Sequence, residues 1–169
     1  MPPETTLDGS VDTSLISSPN FADKPELRLW LRLLTCTNLI EGEIRRRLRQ
    51  EYSTTLPRFD LLAQLDRHSG GLTLTALSNH MMVSNGNLTG LVDRLVTDGL
   101  VERRPDPHDG RSRRVALTGA GKAHFDDMTP AHEAWINYML DGLSQDDIDL
   151  LHNLLGKLRL SAAAIEVPS

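Results

Sequence analysis

From Pro25 onward the apolar residues recur at helical spacing. Leu27, Leu31, Leu34, Leu39, Ile40, Ile44 and Leu48 follow one another at spacings of up to five residues, which predicts a single long helix ending near Glu51. Thr54-Thr55-Leu56-Pro57 restarts the chain, with Pro57 suited to a first helical position, where a missing N–H costs nothing. Phe59, Leu61, Leu62 and Leu65 form the next buried stripe, which His68-Ser69-Gly70-Gly71 closes. A short helix is then expected over residues 75–80, buried through Leu77, with a break at Met81-Met82-Val83. A second follows over Asn85–Thr97, where Leu88, Leu91, Val92, Leu95 and Val96 fall at i, i+3, i+4, i+7 and i+8. Ser84 is placed to cap it, and Asp98-Gly99 to stop it.

Residues 100–104 and 112–117 read as two strands. The Pro, Asp and Gly of Pro105-Asp106-Pro107-His108-Asp109-Gly110 form the hairpin tip between them. Thr118 caps a helix from Gly119 to about Leu140 with Phe125, Met128, Trp135, Ile136 and Met139 inward; Pro130 should kink it. Ser144 opens the last helix, with Ile148, Leu151, Leu154, Leu155 and Leu158 on one stripe. Residues 1–23 are polar and aperiodic and read as a mobile tail. The expected fold is mainly α with a small two- to three-stranded wing, a winged helix-turn-helix joined to a helical dimerisation lobe. That lobe is expected from residues 24–56 and 119–165, with the winged lobe over 57–118.

Such a constellation suits duplex DNA. A helix with one buried stripe leaves its other face for the major groove, whose base edges carry a distinguishable donor and acceptor pattern. Ser84, Asn85, Asn87, Thr89, Asp93 and Arg94 lie on that free face with Gly86 and Gly90. Each glycine costs roughly 1 kcal/mol of helix stability relative to Ala, which close approach to a sugar-phosphate backbone would justify. The plain alternative is a solvated helix face. The hairpin concentrates Arg111, Arg113 and Arg114, with Arg103 and Arg104 on the opposite strand. An arginine at such a tip can enter a narrow minor groove, and Asp109 is placed to hold the Arg111 side chain by a charge-assisted hydrogen bond.

Composition changes this picture only in detail. The net charge of −5 in 169 residues, taken alone, opposes a nucleic-acid partner. The charge is unevenly spread, however: residues 24–58 carry +4 and 101–122 carry +3, while residues 1–23 and 123–169 carry −4 and −6. Binding through one face is therefore allowed. Aromatics are 4% of residues, so the core rests on Leu, Val and Ala and favours helix packing. No apolar run approaches a membrane span and the N-terminus lacks a signal-peptide pattern, so a cytoplasmic protein is expected.

The wing residues also carry a resemblance. Asp109-Gly110-Arg111-Ser112-Arg113-Arg114-Val115-Ala116-Leu117-Thr118 meets in full the D-x-R-x-x-x-x-x-L-T signature of the multiple-antibiotic-resistance regulator (MarR) family. The stretch from Gly99 to Pro107 is typical of it too, and the resemblance extends from about Leu27 to Arg159. It implies a homodimer with interlocked terminal helices, two winged lobes, a pseudo-palindromic operator and release by a small ligand. The segments Leu27–Cys36, Leu56–Asp60 and Met82–Gly90 resemble a narrower branch controlling aromatic-acid breakdown, which implies an aromatic acid or its CoA thioester as effector. The competing reading is a winged helix used for protein contact without specific DNA binding.

For that effector, the basic run at Arg45 and Arg46, with Arg58, supplies candidate cations, and Trp30, Phe59 and Trp135 candidate apolar walls; for each, a solvated face or a core position is the bland alternative. Cys36, in an apolar helix, is expected to be buried. The six histidines show no paired ligand spacing, so no metal or cofactor is expected. Catalysis is not expected either, since the chain has no G-x-x-x-x-G-K, H-E-x-x-H or G-x-S-x-G.

Overall fold

The computed structural model describes residues 24–81, 85–107, 109 and 111–164. The tail expected over residues 1–23 and the cap expected at Ser84 lie outside them, as do His108 and Gly110 of the hairpin tip. Among the described residues, six helices and a three-stranded sheet follow in the order α1 (Pro25–Tyr52), α2 (Leu56–Asp66), β1 (Leu72–Thr73), α3 (Leu74–Met81), α4 (Asn85–Thr97), β2 (Val101–Pro105), β3 (Arg113–Leu117), α5 (Gly119–Leu140) and α6 (Gln145–Ala163). The chain divides into two compact units, residues 1–132 and 133–169.

In the first unit, α1 begins with proline and ends on Ser53 in the left-handed conformation, whose N–H returns to the Leu48 carbonyl. Only its C-terminal part is committed to the core, through Ile44 and Leu48. Thr55, extended, precedes α2, which buries Leu56, Phe59, Leu61, Leu62 and Leu65. With Leu77 of α3, Leu88, Leu91, Val92 and Leu95 of α4, and Val101 and Val115 of the sheet, these side chains make one aliphatic core. Phe125 and Met128 of α5 are also buried, with the Phe125 ring 5.4 Å from that of Phe59.

The sheet is antiparallel in the order β1-β3-β2. Its shortest strand, β1, pairs Leu72 with Val115 and Thr73 with Arg114. Gly71 makes this possible: it has φ +74°, and a Cβ there would stand 2.6 Å from the Val115 carbonyl oxygen. The other edge pairs Arg103 with Val115 and Arg104 with Arg114.

Thr118 joins the wing to α5. Its hydroxyl donates to the Gly99 carbonyl at 2.7 Å and accepts from the Gly121 N–H at 2.9 Å, while its own N–H reaches the Leu100 carbonyl at 3.1 Å. One threonine thus caps α5 and holds the turn that ends α4, where Gly99 has φ +72°. α5 runs on through Pro130 without interruption; the ring leaves the Asp126 carbonyl without its usual intrahelical donor.

In the second unit Trp135 is buried, whereas Ile136 and Met139, expected inward, are half-exposed. α6 starts with a capping box, in which the Ser144 hydroxyl accepts from the Asp147 N–H at 3.2 Å and the Asp147 carboxylate accepts from the Ser144 N–H at 3.0 Å. None of its side chains is buried, and Leu150, Leu151, Leu154, Leu155, Leu158 and Leu160 are all exposed.

Candidate nucleic-acid interface

α4 is oriented by its apolar stripe. With Leu88, Val92 and Leu95 fully buried, the opposite side faces outward, and Asn87, Thr89, Asp93 and Arg94 are all exposed on it. Asn85 opens the helix; its side chain and Ser84 lie outside the described residues. Nothing stands within 4 Å of a Cβ built at Gly86 or Gly90, so no contact inside the chain requires glycine at either position. A shallow depression of about 440 Å³ runs along this side, lined by Gly86, Asn87, Gly90 and Arg94 of α4 together with Pro57 and Met81.

The wing cations divide into two groups. Arg114 is committed to structure: its Nε donates to the buried Asp106 carboxylate at 2.6 Å and its NH1 to the Gly71 carbonyl at 3.1 Å. Arg103 reaches across to α4, donating to Asp93 at 2.6 Å, and Arg104 is held by Glu102 at 2.5 Å. Arg111 and Arg113 are exposed and enter none of the ion pairs found among the described residues. The free cationic charge is therefore toward the tip, and the paired charge is at the base.

Asp109 acts on Arg111 differently from the expectation. Its carboxylate accepts from the Arg111 backbone N–H at 2.9 Å, so it shapes the main chain of the tip instead of gripping the guanidinium. Its carbonyl accepts from the Ser112 N–H at 2.9 Å, and the Ser112 carbonyl from Asp106 N–H at 3.1 Å. This is the local use of aspartate that turns favour. In sequence, Asp106 is one of the turn residues of the hairpin tip; its role appears only once the returning strand brings Arg114 to it.

The residues considered for an effector differ in their local settings. Phe59 is buried, its ring 4.6 Å from that of His132. Trp30 is 58% exposed on α1, and Trp135 belongs to the second unit. Arg45 is paired with Glu41 at 2.6 Å, and Arg46 binds Glu43 through two nitrogens at 2.8 and 2.6 Å. Hydrogen bonds from Arg46 and then Arg47 hold the Glu43 carboxyl down at about 2. Arg58 donates to Asp98 at 2.5 Å, tying the start of α2 to the end of α4. Burial lowers His132 from the usual imidazole range and raises Asp60, where Glu41 adds to the effect and Arg45 opposes it.

Cys36 contradicts its expectation: it is exposed, because among the described residues no side chain of α1 before Ile44 is buried. Among the described residues no helix is long and apolar enough to cross a membrane. No group of three or more His, Cys, Asp or Glu gathers among them either, but the fold brings two histidines far apart in sequence, His68 and His80, to within 5.2 Å.

Comparison with known proteins agrees with this geometry. A MarR family model matches residues 52–112, which take in α2, the helix-turn-helix and most of the wing. The chain is 35% identical over 147 residues to the transcriptional activatory protein BadR of Rhodopseudomonas palustris, covering 83% of each protein. It is 32% identical over 98 residues to the HTH-type transcriptional repressor YetL of Bacillus subtilis, covering 58% of this chain and 59% of that one. The crystal structure of a mutant MarR from E. coli complexed with operator DNA superposes with a TM-score of 0.65 at 27% identity, covering 75% of this chain and 93% of that one. With its three-stranded sheet, helix-turn-helix and helical flanks, the chain belongs to the MarR family of winged-helix, DNA-binding transcriptional regulators.

Proposed function

We propose that this regulator binds a pseudo-palindromic operator as a homodimer and is released from it by a small aromatic effector. One observation carries the DNA-binding geometry: the exposed polar side of α4 lies beside a wing whose Arg111 and Arg113, toward the tip, enter no ion pair among the described residues. In this reading Asn85, Asn87, Thr89 and Arg94, with Ser84 at the helix start, read the major groove. Arg111 enters the minor groove, positioned by Asp109 through its backbone, and Arg113 engages phosphate. Arg114 contributes from behind, by fixing the strand that carries them. Two-fold symmetry would set the half-sites about one helical turn apart.

The homodimer is supported by α6 and the start of α1. Six leucines on one 19-residue helix and Leu29, Trp30 and Leu39 on another are exposed, more apolar surface than a soluble monomer usually leaves open. A second copy of the chain covers these faces, so residues 24–56 and 119–165 form the dimerisation lobe and 57–118 the DNA-binding lobe. The protein acts in the cytoplasm, where the operator is, and is not an enzyme.

The effector is proposed to be an aromatic acid or its CoA thioester, with Trp30, Phe59 and Trp135 as apolar contacts and Arg45, Arg46 and Arg58 for carboxylate or phosphate. Repression lifted by the effector is our reading of its sign. YetL is named a repressor and BadR an activatory protein, so both signs occur among its relatives. A gel shift on the DNA upstream of the protein's own gene, with and without hydroxycinnamoyl-CoA, tests the reading. A retarded band released by the thioester supports both parts. A band indifferent to aromatic acids and their thioesters removes the effector, and no band at low salt removes the operator.

A further inference from the structure

We infer that His68 and His80 form a binding site for a divalent transition-metal ion of the zinc, copper or nickel type. The two residues come from different elements, His68 from the turn after α2 and His80 from the last turn of α3, and their rings stand 5.2 Å apart with planes tilted by 43°. A metal held by an imidazole nitrogen at about 2.0–2.1 Å lies roughly 3.2 Å from the ring centre, so two imidazoles on one tetrahedral ion have centres about 5 Å apart. The observed centroid separation matches that distance.

The second observation is the tautomer of His68. Its Nδ1 lies 2.8 Å from the Gln64 carbonyl oxygen. A carbonyl oxygen can only accept, so Nδ1 is the donor in this hydrogen bond and Nε2 is left as the ring nitrogen free to ligate a metal. A backbone carbonyl on the far nitrogen is the usual way a metal-binding histidine is oriented. The backbone of His68 is held as well: its N–H donates to the Leu65 carbonyl at 3.1 Å, and its carbonyl accepts from the Gly71 N–H at 2.8 Å. His80 is exposed, so an ion can reach it from solvent.

Imidazole ligands suit zinc, copper and nickel better than magnesium or calcium. No third His, Cys, Asp or Glu joins the pair among the described residues, so the remaining coordination positions are left to water or to an added ligand. Such an ion would clip the end of α2 to the end of α3, immediately ahead of α4.

The test is calorimetric titration of Zn²⁺ into the full chain, purified without a histidine tag, for the wild type and the His80→Ala, His68→Ala and His152→Ala variants. The expected result is one ion per chain, bound roughly tenfold or more weakly after loss of either His68 or His80 and unchanged after loss of the exposed His152 on α6. Zn²⁺ should also raise the thermal midpoint of the wild type and leave that of His80→Ala in place, since a ligand stabilises only the state that binds it. His80 is exposed and its replacement leaves the core intact, so that variant decides the matter if His68→Ala fails to fold. No heat with the wild type, or undiminished binding by His80→Ala, overturns the inference.

Discussion

Arg114 and Asp106 form the one ion pair among those described in which a partner is nearly withdrawn from solvent: the Asp106 side chain is 7% exposed and accepts from Arg114 Nε at 2.6 Å. Because Arg114 also donates to the Gly71 carbonyl, this contact joins the hairpin to both edges of the sheet. Removing the carboxylate leaves a partly buried guanidinium without its charge partner. Asp106→Ala should therefore cost about 1–3 kcal/mol in urea unfolding. Arg104→Ala, which breaks an exposed pair with Glu102, should cost at most about 1 kcal/mol. Equal losses would show that the Arg114 clamp has no special weight.

Glycines separate structure from recognition. A Cβ at position 121 would stand 1.8 Å from the Leu100 carbonyl oxygen, and that neighbour is backbone. Gly121→Ala should destabilise the chain by about 3 kcal/mol or more, since α5 must move away from the wing. Gly86→Ala and Gly90→Ala meet open space and should each stabilise the isolated protein by up to about 1 kcal/mol. The same two variants should weaken DNA binding if the α4 backbone approaches the duplex. Unchanged affinity would remove that explanation for the glycines. Thermal unfolding and fluorescence anisotropy on one set of proteins read both effects.

The pattern of apolar positions made some of this legible and hid the rest. The limits of α4 were readable because five apolar residues repeat at helical spacing and a glycine with positive φ ends the run. Thr118 was readable as a cap, although its bond to Gly99 was not. β1 was hidden because two residues carry no periodicity; Leu72 and Thr73 become a strand only by pairing with Val115 and Arg114. Cys36 misled because an apolar helix stripe shows that a face will be covered without showing by what. The wing arginines looked equivalent in sequence, and only the positions of Asp93, Glu102 and Asp106 separate the paired ones from Arg111 and Arg113.

His132 gives a pH dependence with a definite sign. Burial beside Phe59 lowers its pKa below the ordinary 6.5. Between the lowered value and 6.5 the unfolded chain binds more protons than the folded one, so stability rises with pH across that window and is lost on acidification. The raised Asp60 acts in the opposite sense: stability falls as pH rises from 3.8 to its raised value and is level above it. Thermal midpoints of the wild type should fall below about pH 6.5, and His132→Gln should flatten that fall. An identical pH profile in the variant would contradict the assignment.

The exposed leucines of α6 test the dimer. Leu154 and Leu158 are 50% and 43% exposed, so arginine at both positions should be tolerated within the chain and excluded from an apolar interface. Leu154→Arg/Leu158→Arg should sediment as a monomer at micromolar concentration, with operator affinity reduced. A variant that still sediments as a dimer would place the interface elsewhere.

The most direct test is the affinity of Arg111→Ala for the promoter DNA of the protein's own gene, measured by fluorescence anisotropy at fixed salt beside the wild type. Arg111 is exposed and its side chain supports nothing else among the described contacts, so the thermal midpoint and sedimentation should not change. Affinity should fall roughly 10- to 100-fold, as for loss of one specific arginine contact worth about 1–3 kcal/mol. Undiminished affinity in a folded, dimeric variant would contradict the wing's role in binding.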